Sequence, residues 1–307
     1  MSQFSQIVAA TFDRVSNEKN KAENQWSENA TLNFMEMKGG LKRVSGGPQL
    51  EFTLDIVVNP DAAFIATDVS ATSTTKTEVL DAVKYDWALF VAPINWSIAD
   101  EGKNSGEKKV ELVTSLVDNA MESHDDQFEA GMFAASATNG FLSFPVLFTE
   151  DGTGTVGGVN SATDTYWAPQ FEDYGTDLHL GLNVLTAECA KGTGGATPDL
   201  YVTGSTVWAT YADSLQANLQ FSSAKTVDAG IQTLKFAGQD FIFTHKYTSD
   251  SVFLINTKKT KVYAIKEFYR QRRAEIELPN AATMTMKVVS IAQLASSNRG
   301  RNGVCFT

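Results

Sequence analysis

The sequence predicts an α+β fold, and three observations carry that prediction. Apolar and polar residues alternate from Leu50 to Val58, the period of a half-buried strand. From Val110 to Met132 the apolar residues recur at three and four, the period of a helix. Several further strand-like runs fill the last third of the chain, with no internal repeat. At 307 residues, 43% apolar and 20% charged, the chain is long enough to bury a core without disulfides or metal. Its 19 Phe, 8 Tyr and 5 Trp exclude a disordered chain.

Residues 1–48 begin with a weak helical pattern (Phe4, Ile7, Val8, Phe12, Val15), pass through the polar stretch 16–24, and resume at Trp26, Leu32 and Met35. Residues 38–48 read as loop, with glycine pairs at Gly39-Gly40 and Gly46-Gly47. The strand from Gln49 and a second β-rich run, Tyr85 to Trp96, flank a turn-forming Asn59-Pro60 and a Thr/Ser-rich tip at 70–77. The simplest assembly is a long hairpin whose arms of about 17 residues would reach about 55 Å. A two-stranded ribbon of that length is not stable alone in water, so it must lie on its own chain or on a neighbouring copy.

Asn104, three residues before Glu107, is a helix start signal. The helix predicted from it runs over 104–135, about 43 Å at 1.5 Å per residue. Val110, Val113, Val117, Ala120, Met121, His124, Phe128 and Met132 form its apolar stripe, and Lys108, Glu111, Asp118, Glu122, Asp125 and Glu129 largely its polar face. Such a helix suits a backbone on which sheets are laid. Beyond it come an apolar run 141–148, the glycine-rich 151–158, a loop-rich stretch with Trp167-Ala-Pro169, a strand 200–203 and a short helix 206–218. Strand-like runs at 233–236, 241–247, 252–256, 262–265 and 282–294 complete the chain.

Charge is unevenly placed. The net charge of −11 argues against a protein that coats nucleic acid. From Val110 to Ala190 there are 13 acidic residues and no Lys or Arg, whereas Lys258 to Arg301 carries ten basic residues against three acidic. Two opposite poles either face solvent or steer neighbouring copies into register. The longest apolar run, Trp87 to Ile94, is too short to span a membrane, and the first residues lack the basic and apolar regions of a secretory signal. Cys189 and Cys305 have no motif spacing and read as reduced core residues.

No catalytic or cofactor pattern stands out. Gly152-Thr-Gly-Thr-Val-Gly157 matches the dinucleotide spacing, but no helix can start at its last glycine, and it lacks the Lys and Ser/Thr of a phosphate loop. His124, His179 and His245 are mutually distant in sequence and read as structural, and adjacent Asp125 and Asp126 point about 100° apart on a helix. The sequence therefore predicts no catalytic residue, no metal and no cofactor.

The order of elements resembles the major capsid proteins of tailed bacteriophages, with the Hong Kong 97-type fold. That order is a helical arm, a glycine-pair loop, a long hairpin, one long helix, a glycine-rich loop and a mixed domain ending in strands. Local wording carries it too: Lys42-Arg-Val-Ser-Gly-Gly47 before the first strand, Asp151-Gly-Thr-Gly-Thr-Val-Gly-Gly158 with Trp167 downstream, and Met286-Lys-Val-Val-Ser-Ile-Ala-Gln-Leu294 leading to Asn298-Arg-Gly-Arg301. The resemblance spans about residues 20–307. It implies an N-terminal arm at 1–48, an extended loop at 49–99, and a peripheral domain at 100–180 with spine helix 104–135. An axial domain at 181–265 and a return to the peripheral sheet at 266–307 would complete it.

It further implies a structural protein, not an enzyme, whose copies form hexamers and pentamers of an icosahedral shell. That shell would enclose double-stranded DNA, with portal, scaffolding and decoration proteins where present. It would be built in the host cytoplasm and end in the virion. The residues expected at contacts between copies are Phe64, Ile65 and Val79 on the hairpin and Arg270, Arg272 and Arg273 in the basic pole. Those expected in the spine-helix core are Val110, Val113, Val117, Met121 and Phe128. The reading from another class is a non-catalytic, β-rich surface-binding or adhesin-like module.

Overall fold

The computed structural model describes residues 29–55, 80–99, 107–191, 197–217, 225–226, 232–277 and 282–307. Helix α1 (Ala30–Met37) turns through Gly39-Gly40 into strand β1 (Leu41–Val44). Strands β2 (Leu50–Asp55) and β3 (Leu80–Tyr85) form an antiparallel ribbon, followed by β4 (Ala88–Ser97) and the long helix α2 (Glu107–Met132). Next come α3 (Phe144–Leu147), the small pair β5 (Thr155–Val156) and β6 (Val159–Asn160), β7 (Gln170–Asp173), α4 (Leu178–Cys189), β8 (Leu200–Gly204) and α5 (Ser205–Ala217). The rest is strand: β9 (Lys225–Thr226), β10 (Gln232–Phe236), β11 (Gln239–Thr244), β12 (Val252–Ile255), β13 (Thr260–Ile265), β14 (Gln271–Arg272), β15 (Ile276–Glu277), β16 (Thr283–Ser296) and β17 (Gly303–Phe306).

Two sheets organise the core. In the first, β16 is central: β4 pairs along one side of it in the register Thr283↔Ser97 to Ala292↔Ala88. Strands β13, β14 and β15 pair along the other side, and β1 adds parallel to β13. Helix α2 lies on one face, where Val117 and Ala120 pack with Ile94, Trp96, Met286 and Val288. The second sheet runs β7-β17-β12-β8-β11-β10-β9. Alternation along its buried strands sends Tyr201, Phe241 and Leu254 to the side of α4 and α5, and Val202, Ile242 and Phe253 to the main core with Phe144, Leu147 and Trp167. After β16 a short turn at Arg299–Arg301 carries the chain across, so β17 sits between β7 and β12.

Two readings need correction. The hairpin's return strand is β3, with Leu50 opposite Tyr85 and Asp55 opposite Leu80, and the run Tyr85 to Trp96 belongs largely to β4, in the first sheet. That run is apolar on both faces, which suits a strand paired to β16 and covered by a helix rather than one arm of a ribbon. Glu129, assigned to the polar face of the long helix, is fully buried. Its carboxylate bonds to the first turn of α1 and to Thr244, and these partners let an acid enter the core.

Candidate assembly surface

The ribbon β2–β3 is fixed at its base. Leu54, Val83 and Tyr85 are buried, and the Phe52 ring lies 5.9 Å from that of Tyr85 and 5.4 Å from that of Tyr263. The Tyr85 hydroxyl donates to the Ser296 carbonyl at 2.8 Å, and the Tyr166 hydroxyl donates to Asp81 Oδ2 at 2.8 Å. The glycine-rich loop supplies a third clasp. The Gly157 carbonyl accepts the Lys84 amide at 3.0 Å, and the Trp167 indole donates to the Val156 carbonyl at 3.0 Å, holding that loop in place. Gly157, at φ +63°, therefore serves close backbone approach to the ribbon. Leu80, where the described part of the ribbon stops, is exposed. Phe64, Ile65 and Val79 lie outside the described residues.

The face of the first sheet turned away from α2 is open and carries apolar side chains on either side of the exposed Lys287. Leu89 pairs with Ile291 and Val91 with Val289 across β4 and β16, and Ile276 stands beside Thr285 on the same side. Leu89 is 62% exposed, Ile276 60% and Val91 40%. Sequence reasoning missed these residues, although a signal was present: the longest apolar run, Trp87 to Ile94, is apolar at consecutive positions and so must present side chains to both faces of a strand.

The basic pole divides into roles. Arg270 is engaged within the chain: its Nε and Nη2 donate to the two carboxylate oxygens of Asp125 at 2.9 and 2.8 Å, and its backbone takes φ +52°. Arg273 lies over the Phe268 ring at 4.6 Å. Arg272 sits on β14, and the whole stretch 271–277 is exposed. On α2, Val117 and Phe128 are buried and Met121 packs against the same cluster as Val117. Val110 and Val113 belong to turns whose side chains lie outside the described residues.

One arrangement has the order of a hydrolytic triad. Ser290 Oγ lies 2.7 Å from His124 Nε2, and His124 Nδ1 lies 3.0 Å from Asp125 Oδ1. Ser290 and His124 are buried, the Ser290 hydroxyl already accepts the Arg270 amide at 2.9 Å, and the Phe90 ring closes over the imidazole at 4.7 Å. A substrate has no route to that hydroxyl; the network ties β16 and the 270 turn to the long helix. A depression of about 370 Å³ beside α3 is lined by Phe148, Tyr247 and Phe253 with Glu150 and Asp151 at its rim. Both carboxylates are engaged locally, Glu150 by the Ser251 hydroxyl and Asp151 by Thr153, whose hydroxyl and amide hold the Asp151 carboxyl below its usual range.

Among the described residues no group of three His, Cys, Asp or Glu is placed to hold a metal, and no helix is long and apolar enough to cross a membrane. Cys189 and Cys305 are free and buried, and burial pushes both thiols up to about 12.

No family model matches the sequence, and no curated protein does either. Solved structures do. The chain is similar to the capsid asymmetric unit of cyanophage A-1(L), with TM-score 0.66 and 13% identity over 96% of this chain and 97% of that one. It is similar to the capsid of an empty GTA particle, with TM-score 0.63 and 11% identity over 97% and 98%. An encapsulin from Synechococcus elongatus matches with TM-score 0.59 and 9% identity over 98% and 94%. The architecture of this chain is the Hong Kong 97-type α+β fold of phage capsid proteins.

Proposed function

We propose that the chain is the subunit of an icosahedral shell that self-assembles around the double-stranded DNA of a tailed phage. The observation that carries this reading is the extent of the likeness. Nearly the whole of this chain corresponds to nearly the whole of the capsid chains of a cyanophage and a GTA particle. Among the described residues, the exposed apolar side chains Leu89, Val91 and Ile276 on one sheet face are what a shell would cover. Leu89, Val91 and Ile276 then meet a second copy, as do Phe64, Ile65 and Val79 of the hairpin, with Arg272 and Arg273 steering the approach of acidic neighbours. Arg270 acts there through its hold on Asp125.

In this reading 1–48 is the arm, the ribbon β2–β3 the extended loop, and 100–180 with β4 and β13 the peripheral domain; 181–265 apart from β13 is the axial domain, and 266–307 returns to the peripheral sheet through β16 before β17 closes the second sheet. Hexamers and pentamers build the shell, no catalysis is required, and portal, scaffolding or decoration proteins are partners where present. Assembly takes place in the host cytoplasm, and the product is the virion. Negative-stain microscopy of the protein expressed alone tests this. Capsomers, tubes or closed shells are expected, and their loss is expected when residues 63–79 are deleted. A monodisperse monomer at high concentration would favour the adhesin-like reading instead.

A further inference from the structure

Glu129 occupies a place where the helical pattern expects solvent. It is 0% exposed. Its Oε1 accepts the Thr31 amide at 3.2 Å and the Thr244 hydroxyl at 3.0 Å, and its Oε2 accepts the Leu32 amide at 3.2 Å. Those amides open α1, whose own cap residue, Asn29, makes no side-chain capping bond. The long helix thus caps the short one from a distance in sequence, and Thr244 brings β11 of the second sheet into the same contact.

Every donor to this carboxylate is neutral. The charges on the surrounding elements are spent on each other. On α2, Asp125 pairs with Arg270 and Asp126 with Lys246, while Glu122 is exposed. On α1, Glu36 meets Arg43; at its end Lys38 pairs with Asp240 of β11. Just past β11, His245 is exposed with its ring against Phe243. Burial outweighs the three hydrogen bonds and pushes the Glu129 carboxyl up to about 7.

We propose that Glu129 is a proton-operated latch, docking α1 on α2 when protonated and favouring release of α1 when ionised. An ionised carboxylate buried without a cation is costly, and undocking α1 returns it to water. The Thr31 hydroxyl, buried beside the same carboxyl, is a further neutral donor that burial outweighs. The direction follows from linkage. The docked state holds the proton up to about pH 7 and the undocked state only to about its ordinary value of 4.5, so docking weakens as pH rises between them.

Hydrogen exchange of the full, unassembled chain, corrected for intrinsic rates, tests the latch. Opening of residues 30–37 is expected to rise about 70-fold between pH 5 and pH 8, while protection of 200–204 stays constant. Glu129→Gln should flatten the profile. Thr244→Val, which removes a donor that favours the ionised form, should move the midpoint to higher pH. If the Gln variant does not fold, the wild-type profile and the Val shift decide. Protection of 30–37 that is independent of pH, or a profile unchanged in Glu129→Gln, overturns the proposal.

Discussion

Gly157 and Val83 meet with no room for a methyl group: a Cβ at position 157 would stand 2.1 Å from Val83 Cγ1. Gly157→Ala is therefore expected to cost about 2–4 kcal/mol, from overpacking and the positive φ together. Gly158→Ala next to it, also at positive φ but with nothing within 4 Å, should cost about 1–2 kcal/mol. Thermal unfolding of the two variants separates the contributions. Val83→Ala in the Gly157→Ala background should recover part of the loss, and equal losses at 157 and 158 would remove the clasp on the hairpin.

The long helix has a buried face and a wet one. Val117→Asp places an unpaired carboxylate against Ile94, Trp96 and Val288 and should lower stability by about 3–5 kcal/mol. Glu122, exposed on the solvent side of the helix, tolerates Gln within about 0.5 kcal/mol. Denaturant melts of both variants check the orientation, and similar midpoints would contradict it.

Arg270 and Asp125 form a two-pronged ion pair, each about a quarter exposed. A double-mutant cycle with Arg270→Ala and Asp125→Asn should return a coupling of about 1–2 kcal/mol. Much of it should survive 0.5 M salt, because the pair is partly buried. A coupling near zero would leave Arg270 free to serve a contact between copies.

Leu89→Lys changes an exposed side chain, so the melting temperature should stay close to that of the parent. Assembly should fail, since the charge lands on the open face beside Val91 and Ile291. Light scattering measures the second effect and a thermal melt the first. In the parent protein, assembly should also weaken as salt rises, through screening of the basic and acidic poles. Normal particles from Leu89→Lys would mean that this face stays wet in the shell.

Much of the architecture was legible because it rests on periodicity. The stripe through Val117, Ala120, His124, Phe128 and Met132 identifies the long helix, and alternation from Leu50 identifies the first arm of the ribbon. What escaped depends on which distant segments meet. Tyr85 to Trp96 looks the same to its own sequence whether its partner is β2 or β16, and only the residues at 283–292 decide. Glu129 reads as surface because its compensating donors lie on α1 and β11, about a hundred residues away. Arg270 looks like a free basic residue because its partner, Asp125, lies on an earlier element.

The closing segment has a consequence for how the protein is made. β16 is the strand around which the first sheet is built, and β17 lies inside the second, so neither sheet is complete until Thr283–Ser296 and Gly303–Phe306 have been synthesised. Until those segments emerge from the ribosome, β4 and β12 each lack a neighbour and the long helix lacks half its floor. Such pairing across large sequence separation is slow, and the unfinished edges invite association with other nascent chains. A truncation that removes only β17 should therefore shift the product from soluble subunit to aggregate, because the defect lies in the order in which the parts become available.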